Sequence, residues 1–259
     1  MIPSPRLPIE LCQSVIDNLS IYDDEATLRA CSLTCKTFLH ASRYHLFYRV
    51  YLHTYRAERF LKIICSTNSS TNPCVYVRRL IIDEGRGHKF EPRWVNEALP
   101  LLAARLLNVT KLVLTFFEWS LLDGIARTAI ISSFEKVECL TTVCFNFETP
   151  EQMNQLIASF PSLTDLSCSQ TYWKEDRALV ISLIPLPRRL TTITLDNSQS
   201  SFFRQLISLD QHSSVRTIKF RYMIPNEEVG KLLQTLGSSL EHVEFDLCFK
   251  GGRERFFVY

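Results

Sequence analysis

Glycine is scarce in this chain, seven residues among 259, and the few present never gather into a loop that could cradle a phosphate between strand and helix. That shortage counts against nucleotide chemistry. Long apolar runs are missing as well: no stretch reaches the roughly 18 uninterrupted apolar residues of a membrane helix. An excess of charge of either sign is also absent, with 29 basic side chains against 27 acidic ones. Neither nucleic acid nor an anionic membrane is therefore expected as a partner. No Gly-x-Ser-x-Gly elbow occurs, and no positioned base accompanies a thiol or hydroxyl. The reading is of a chain with no catalytic residues, no metal and no cofactor. Apolar residues nonetheless make up 46% of it, enough for a globular core.

The nine cysteines, at positions 12, 31, 35, 65, 74, 139, 144, 168 and 248, are odd in number and follow no spacing pattern. With no leader segment in the sequence, they read as reduced thiols in a cytoplasmic or nuclear protein. Cys31, Cys35, His40 and His45 have a superficially zinc-like spacing. A finger needs about a dozen residues between its Cys and His pairs, and here Leu33, Phe38 and Leu39 intervene. Core cysteines and surface histidines are the expectation.

One pattern, apolar-x-x-apolar-x-apolar, recurs seven times: "VRRLII" from Val77, "VTKLVL" from Val109, "LTTVCF" from Leu140, "LTDLSC" from Leu163, "LTTITL" from Leu190, "VRTIKF" from Val215 and "LEHVEF" from Leu240. The starts are spaced by 32, 31, 23, 27, 25 and 25 residues. Each unit alternates as a half-buried strand does. Between the strands lie segments with helical periodicity, at 91–108, 123–134, 149–160, 174–184 and 225–236. Thr149 is placed as an N-cap with Pro150 at the first helical position. Gly237 stands just past the end of the last segment. Strands alternating with helices at this range are parallel and joined by crossovers. The strand pattern and its spacing resemble leucine-rich repeats. The position eight residues after each first apolar, where that family usually has Asn or Cys, holds Gly85, Phe117, Glu148, Thr171, Ser198, Met223 and Cys248. Only the last conforms. Trp94, Trp119 and Trp173 fall in helical or loop segments and read as outer-layer packing. "STNSSTNP", residues 66–73, reads as a flexible joint, and the apolar tail "FFVY" as a closing strand or as the sign of a longer form.

"LPIELCQSVIDNLS", residues 7–20, forms an amphipathic helix in which Leu11, Val15, Leu19, Cys12, Ile16 and Ile9 share one arc. At 100° per residue that arc spans about 160°, wider than the roughly 100° stripe of a surface helix. It can serve two neighbours at once. Asp23 and Asp24 cap a second helix carrying Ala26, Leu28 and Cys31, and a third runs through Phe38, Leu39, Leu46 and Phe47. Three short helices in about 45 residues make a marginal core. The stretch "LPIELCQSVIDNL" followed by "TLRACSLTCKTFLHAS" resembles an F-box, over residues 5–50. The family's opening positions map onto Leu7, Pro8, Glu10, Leu11, Ile16 and Leu19, and its second half onto Leu28, Leu33, Cys35, Lys36 and Phe38. Phe38 stands where tryptophan is common.

Together the resemblances imply an α/β chain: a three-helix F-box, a helical connector over 51–76 with the flexible joint, and a leucine-rich-repeat-like solenoid of parallel strands over 77–259. They imply a substrate receptor of an SCF-type ubiquitin ligase, in which the F-box docks on the Skp adaptor of a cullin scaffold and the repeats hold a protein target of unknown identity. Adaptor-binding positions are then Leu7, Pro8, Glu10, Leu11, Ile16, Leu19, Leu28, Leu33, Lys36 and Phe38. Target-binding positions, expected on the concave strand face, are Arg79, Lys111, Asn146, Asp165, Asp196, Lys219, Arg221, His242 and Glu244. The alternative is a protein-binding scaffold outside any ligase, with the helical head serving only as a cap.

Overall fold

A computed structural model describes residues 8–19, 24–66, 72–85, 93–173, 186–196, 214–222, 226–249 and 252–258. The head is three helices, α1 (Ile9–Asp17), α2 (Glu25–Cys31) and α3 (Lys36–Tyr48). Helices α1 and α2 both pack on α3. Their small interior holds Cys12, Ile16, Leu28 and Ser42. His45 Nε2 and the Asp17 carboxylate, 2.7 Å apart, tie α3 to α1.

The rest is built on one sheet. Its strands are β1 (Arg49–Leu52), β2 (Arg79–Asp83), β3 (Lys111–Thr115), β4 (Cys139–Val143), β6 (Asp165–Ser169), β8 (Thr192–Asp196), β9 (Thr217–Arg221), β10 (His242–Phe249) and β11 (Gly252–Val258), hydrogen-bonded in that order. The first eight run parallel and β11 closes the sheet antiparallel to β10. A doubly wound sheet reverses its order at a switch point. Here the order follows the chain throughout, so no switch-point crevice forms. Two short strands, β5 (Asn146–Phe147) and β7 (Tyr172–Trp173), pair with each other in a second small parallel sheet.

Helices α4 (Thr54–Ser66), α5 (Arg93–Ala103), α6 (Gly124–Ser133), α7 (Pro150–Ala158) and α8 (Glu227–Leu236) lie over one face. Leu80, Ile82, Leu112, Leu114, Leu140, Leu166, Ile193, Leu195, Ile218 and Phe220 from the strands join Val95, Leu99, Ile130, Leu156 and Leu232 from the helices in a single core. Each such side chain contributes about 1.5–3 kcal/mol when withdrawn from water. Asp123 and Asn226 cap α6 and α8, accepting from the Ala126 and Val229 amides. Thr149 stands at the expected cap of α7 without making that bond. Gly237 adopts φ 48°, beyond the end of α8. The segment 174–184, expected to be helical, lies outside the described residues.

Three features depart from the sequence reading. First, the sheet begins at Arg49, inside the stretch expected to end the head and open a connector. Phe47-x-x-Val50-x-Leu52 is one more copy of the strand pattern, and Val50 and Leu52 are buried with Phe47 packed against the core. The Ser/Asn-rich run therefore falls between α4 and β2, not between head and sheet. Second, the third unit starts at Val137, not Leu140. Leu140 pairs with Leu112 and Thr142 with Leu114, so Thr142 takes an interior position and Val143 does not. A buried Thr142–Thr171 hydroxyl pair, 3.0 Å apart, satisfies the polar atom that hid this register. Third, Trp119 and Trp173 are core residues, 2% and 6% exposed.

The turns after the strands explain the tryptophans. Phe116, Cys144, Gln170 and Tyr222 each follow a strand directly and have φ of 58°, 50°, 48° and 52°. Their amides donate to the carbonyls of Val143, Ser169, Asp196 and Asp246 on the next strand, at 2.8, 2.9, 3.0 and 2.9 Å. The left-handed turn aims the following residue inward, and in two units that residue is aromatic. Phe117 stacks on Phe145 with centroids 5.5 Å apart, Phe145 on Phe147 at 4.4 Å, and Trp119 tilts against Phe147 at 5.8 Å. Phe117, and Phe145 once the third unit starts at Val137, stand eight residues after the first apolar residue of their units. Phe145→Ala should cost about 3–5 kcal/mol; urea denaturation of the variant against the parent chain measures it.

Candidate functional site

The apolar arc of α1 is divided. Cys12 and Ile16 are buried on the side facing α3, and Leu19 is half-buried. Ile9, Leu11 and Val15 are 52%, 53% and 58% exposed. Leu33, after α2, is 87% exposed. Four large apolar side chains in a head of this size form a surface that burial against a partner would stabilise. Pro8, Glu10 and Lys36 are exposed beside them and Phe38 is half-buried. Ile16 and Leu28, expected among the contact positions, are wholly enclosed in the interior of the head. Leu7 lies outside the described residues. The zinc-like set is not assembled: His45 meets Asp17, the His40 ring nitrogen meets the Tyr76 hydroxyl at 3.0 Å, and Cys35 is exposed at the start of α3. Among the described residues no group of three potential metal ligands converges.

The second surface is the sheet face turned away from the helices. Register places its side chains in three rows. Arg49, Arg79, Lys111, Cys139, Asp165, Thr192, Thr217 and His242 form the first. Tyr51, Ile81, Val113, Thr141, Ser167, Thr194, Lys219 and Glu244 form the second, and Asp83, Thr115, Val143, Ser169, Asp196, Arg221 and Asp246 the third. Eight of the nine expected target-binding positions fall in these rows. Asn146 does not; it belongs to β5, because the corrected register of the third unit moves it past the strand. Arg49 and Tyr51 were missed, although the strand pattern from Phe47 carries the signal for them.

Electrostatically the face divides. Arg49, Arg79 and Lys111 make its beginning basic. The acids further along are held by neighbours: the Thr164 hydroxyl donates to Asp165 at 2.6 Å, the Ser169 hydroxyl to Asp196 at 2.9 Å, and Lys219 pairs with Glu244 at 2.9 Å. The second row from Ile81 to Thr194 carries no charge. Burial pushes the carboxyl of Glu84, just beyond β2, up to about 7, and the Glu118 carboxylate adds to the rise while its backbone amide opposes it.

A comparison with protein-family models matches the F-box domain over residues 4–50. The three-helix head is thus an F-box domain, which supports an F-box protein; domains of this kind generally bind Skp adaptors in SCF complexes. A search of curated proteins finds no match. Among the described residues no helix is long and apolar enough to cross a membrane.

Glu84 yields a pH prediction. Its folded pKa is raised above the unfolded value of 4.5, so the native state holds the proton more firmly and stability falls as pH rises between about 4.5 and about 7. Glu84→Gln should remove that fall and add on the order of 1 kcal/mol at pH 8; denaturation midpoints across the range measure it.

Proposed function

We propose that this chain is the substrate-recognition subunit of an SCF-type ubiquitin ligase. The observation that carries the reading is an F-box domain that leaves Ile9, Leu11, Val15 and Leu33 exposed on one small head. The Skp adaptor covers those side chains and the cullin scaffold follows from it. The sheet unit, which we take as an irregular leucine-rich-repeat solenoid, holds a protein target on its open face through the charged and uncharged stretches of the three rows. Its work is then proximity: a target lysine is kept at high effective concentration beside a thioester formed on another subunit. The chain breaks no bond itself, and it acts in the cytoplasm or nucleus.

The alternative, a scaffold whose head is only a cap, draws support from Phe47, which α3 contributes to the core of the sheet unit. That same residue makes deletion of residues 1–50 uninformative, because the deletion removes Phe47 and half of β1 under either reading. Point changes separate them. Leu11→Asp with Val15→Asp should leave the melting temperature within about 2 °C of the parent, since exposed positions contribute little to stability, and should abolish co-elution with the Skp adaptor in gel filtration. If the parent chain forms no complex with the adaptor at micromolar concentration, the receptor reading fails.

A further inference from the structure

We propose that the cleft along the outer edge of β1 is a docking groove for an extended segment of a protein partner, alternating apolar and acidic residues, which adds to the sheet as a further strand. Among the described residues β1 ends the sheet order, and residues of α2, α3 and α4 line a cleft of about 460 Å³ beside it. Among natural sheets an open edge is blunted by charge or by cover, or is used for pairing. This one is a trough. Leu46, Phe47, Val50, Leu52, Phe60 and Ile63 form its apolar lining, with Ile63 43% exposed. Arg29, Arg49, Arg56 and Arg59 also line it.

Four of the five charged side chains in the lining are cations. Glu25 is the acidic member of the lining, and Arg29 already holds it in an ion pair. Arg56 is stationed over the Tyr51 ring, 5.7 Å from its centroid, and the Tyr51 hydroxyl is itself anchored on the Asp83 carboxylate. A guanidinium stacked in this way is pre-oriented toward an anion at the strand edge. Helical spacing puts Arg56, Arg59, Phe60 and Ile63 on one face of α4, so cation and apolar surface lie side by side.

The parity of β1 specifies the occupant. Val50 and Leu52 point to the helix layer, Arg49 and Tyr51 to the open face. A strand laid alongside alternates in the same way. Its residues on the helix side meet Phe60 and Ile63 and must be apolar; those on the open side meet Arg56 beside the Tyr51 ring and are best acidic. None of Ile9, Leu11, Val15 and Leu33 lines the groove, although Glu25 and Arg29 of the head do, so the groove uses other side chains than the proposed adaptor surface.

The test is fluorescence anisotropy of the 259-residue chain with a labelled hexapeptide of alternating valine and glutamate. Saturable binding is expected. It should weaken about tenfold or more when glutamine replaces glutamate, when the same residues are regrouped as three valines and three glutamates, and when the amides of one alternate set are N-methylated. Methylating the other set should leave it unchanged. Arg56→Glu with Arg59→Glu should cost the same factor with an unaltered melting temperature and unaltered adaptor binding. The proposal is overturned if the alternating peptide does not bind, if the regrouped peptide binds as well, if neither methylation pattern matters, or if a single-stranded oligonucleotide of equal charge binds more tightly.

Discussion

A single backbone hydrogen bond, repeated from strand to strand, sets the geometry of the sheet unit. After β3, β4, β6 and β9 the chain turns through a residue in the left-handed region, and the amide of that residue reaches a carbonyl of the neighbouring strand. Non-glycine residues pay on the order of 1 kcal/mol for such a conformation. The bond they make and the side chain they turn inward offset that cost. Strand register, the inward aim of Phe117 and Phe145, and the sequential order of the strands all follow from the repetition of this turn. None of these residues is glycine, which is how a glycine-poor chain still makes sharp corners.

Much of this was legible because the physics is periodic. Alternating apolar residues at intervals of roughly 25 residues announced the strands, and the helical segments between them followed from spacing and from the Pro150 and Gly237 boundaries. What escaped notice did so for local reasons. A threonine can serve an interior position when another hydroxyl is there to receive it, so Thr142 concealed the true start of the third unit. The strand from Arg49 was hidden by the helix that runs into it, since Phe47 belongs to both patterns. Trp119 and Trp173 read as surface residues because their segments are irregular. Each stands three residues after a left-handed residue, Phe116 or Gln170, and is buried.

The head illustrates how burial distinguishes two uses of one pattern. The helix α1 carries a single wide apolar arc, and a linear reading gives every position on it the same meaning. Folding divides the arc: Cys12 and Ile16 build the bundle, whereas Ile9, Leu11 and Val15 face outward. Leu28 and Leu33, five residues apart, separate in the same way. Family likeness locates such positions but not the side of the helix on which each falls, because that depends on where α3 comes to rest.

The helix α3 passes into β1 with no residue between them, Tyr48 ending one and Arg49 opening the other. The union acts as a rigid spoke, not a tether. Whatever grips the head also fixes the bearing of the sheet, and the spoke has a definite pitch. Inserting one residue into α3 would swing the sheet by about 100° and shift it by about 1.5 Å. Single-residue changes in α3 would therefore re-aim the sheet, whereas a whole added turn keeps the bearing and only lengthens the spoke.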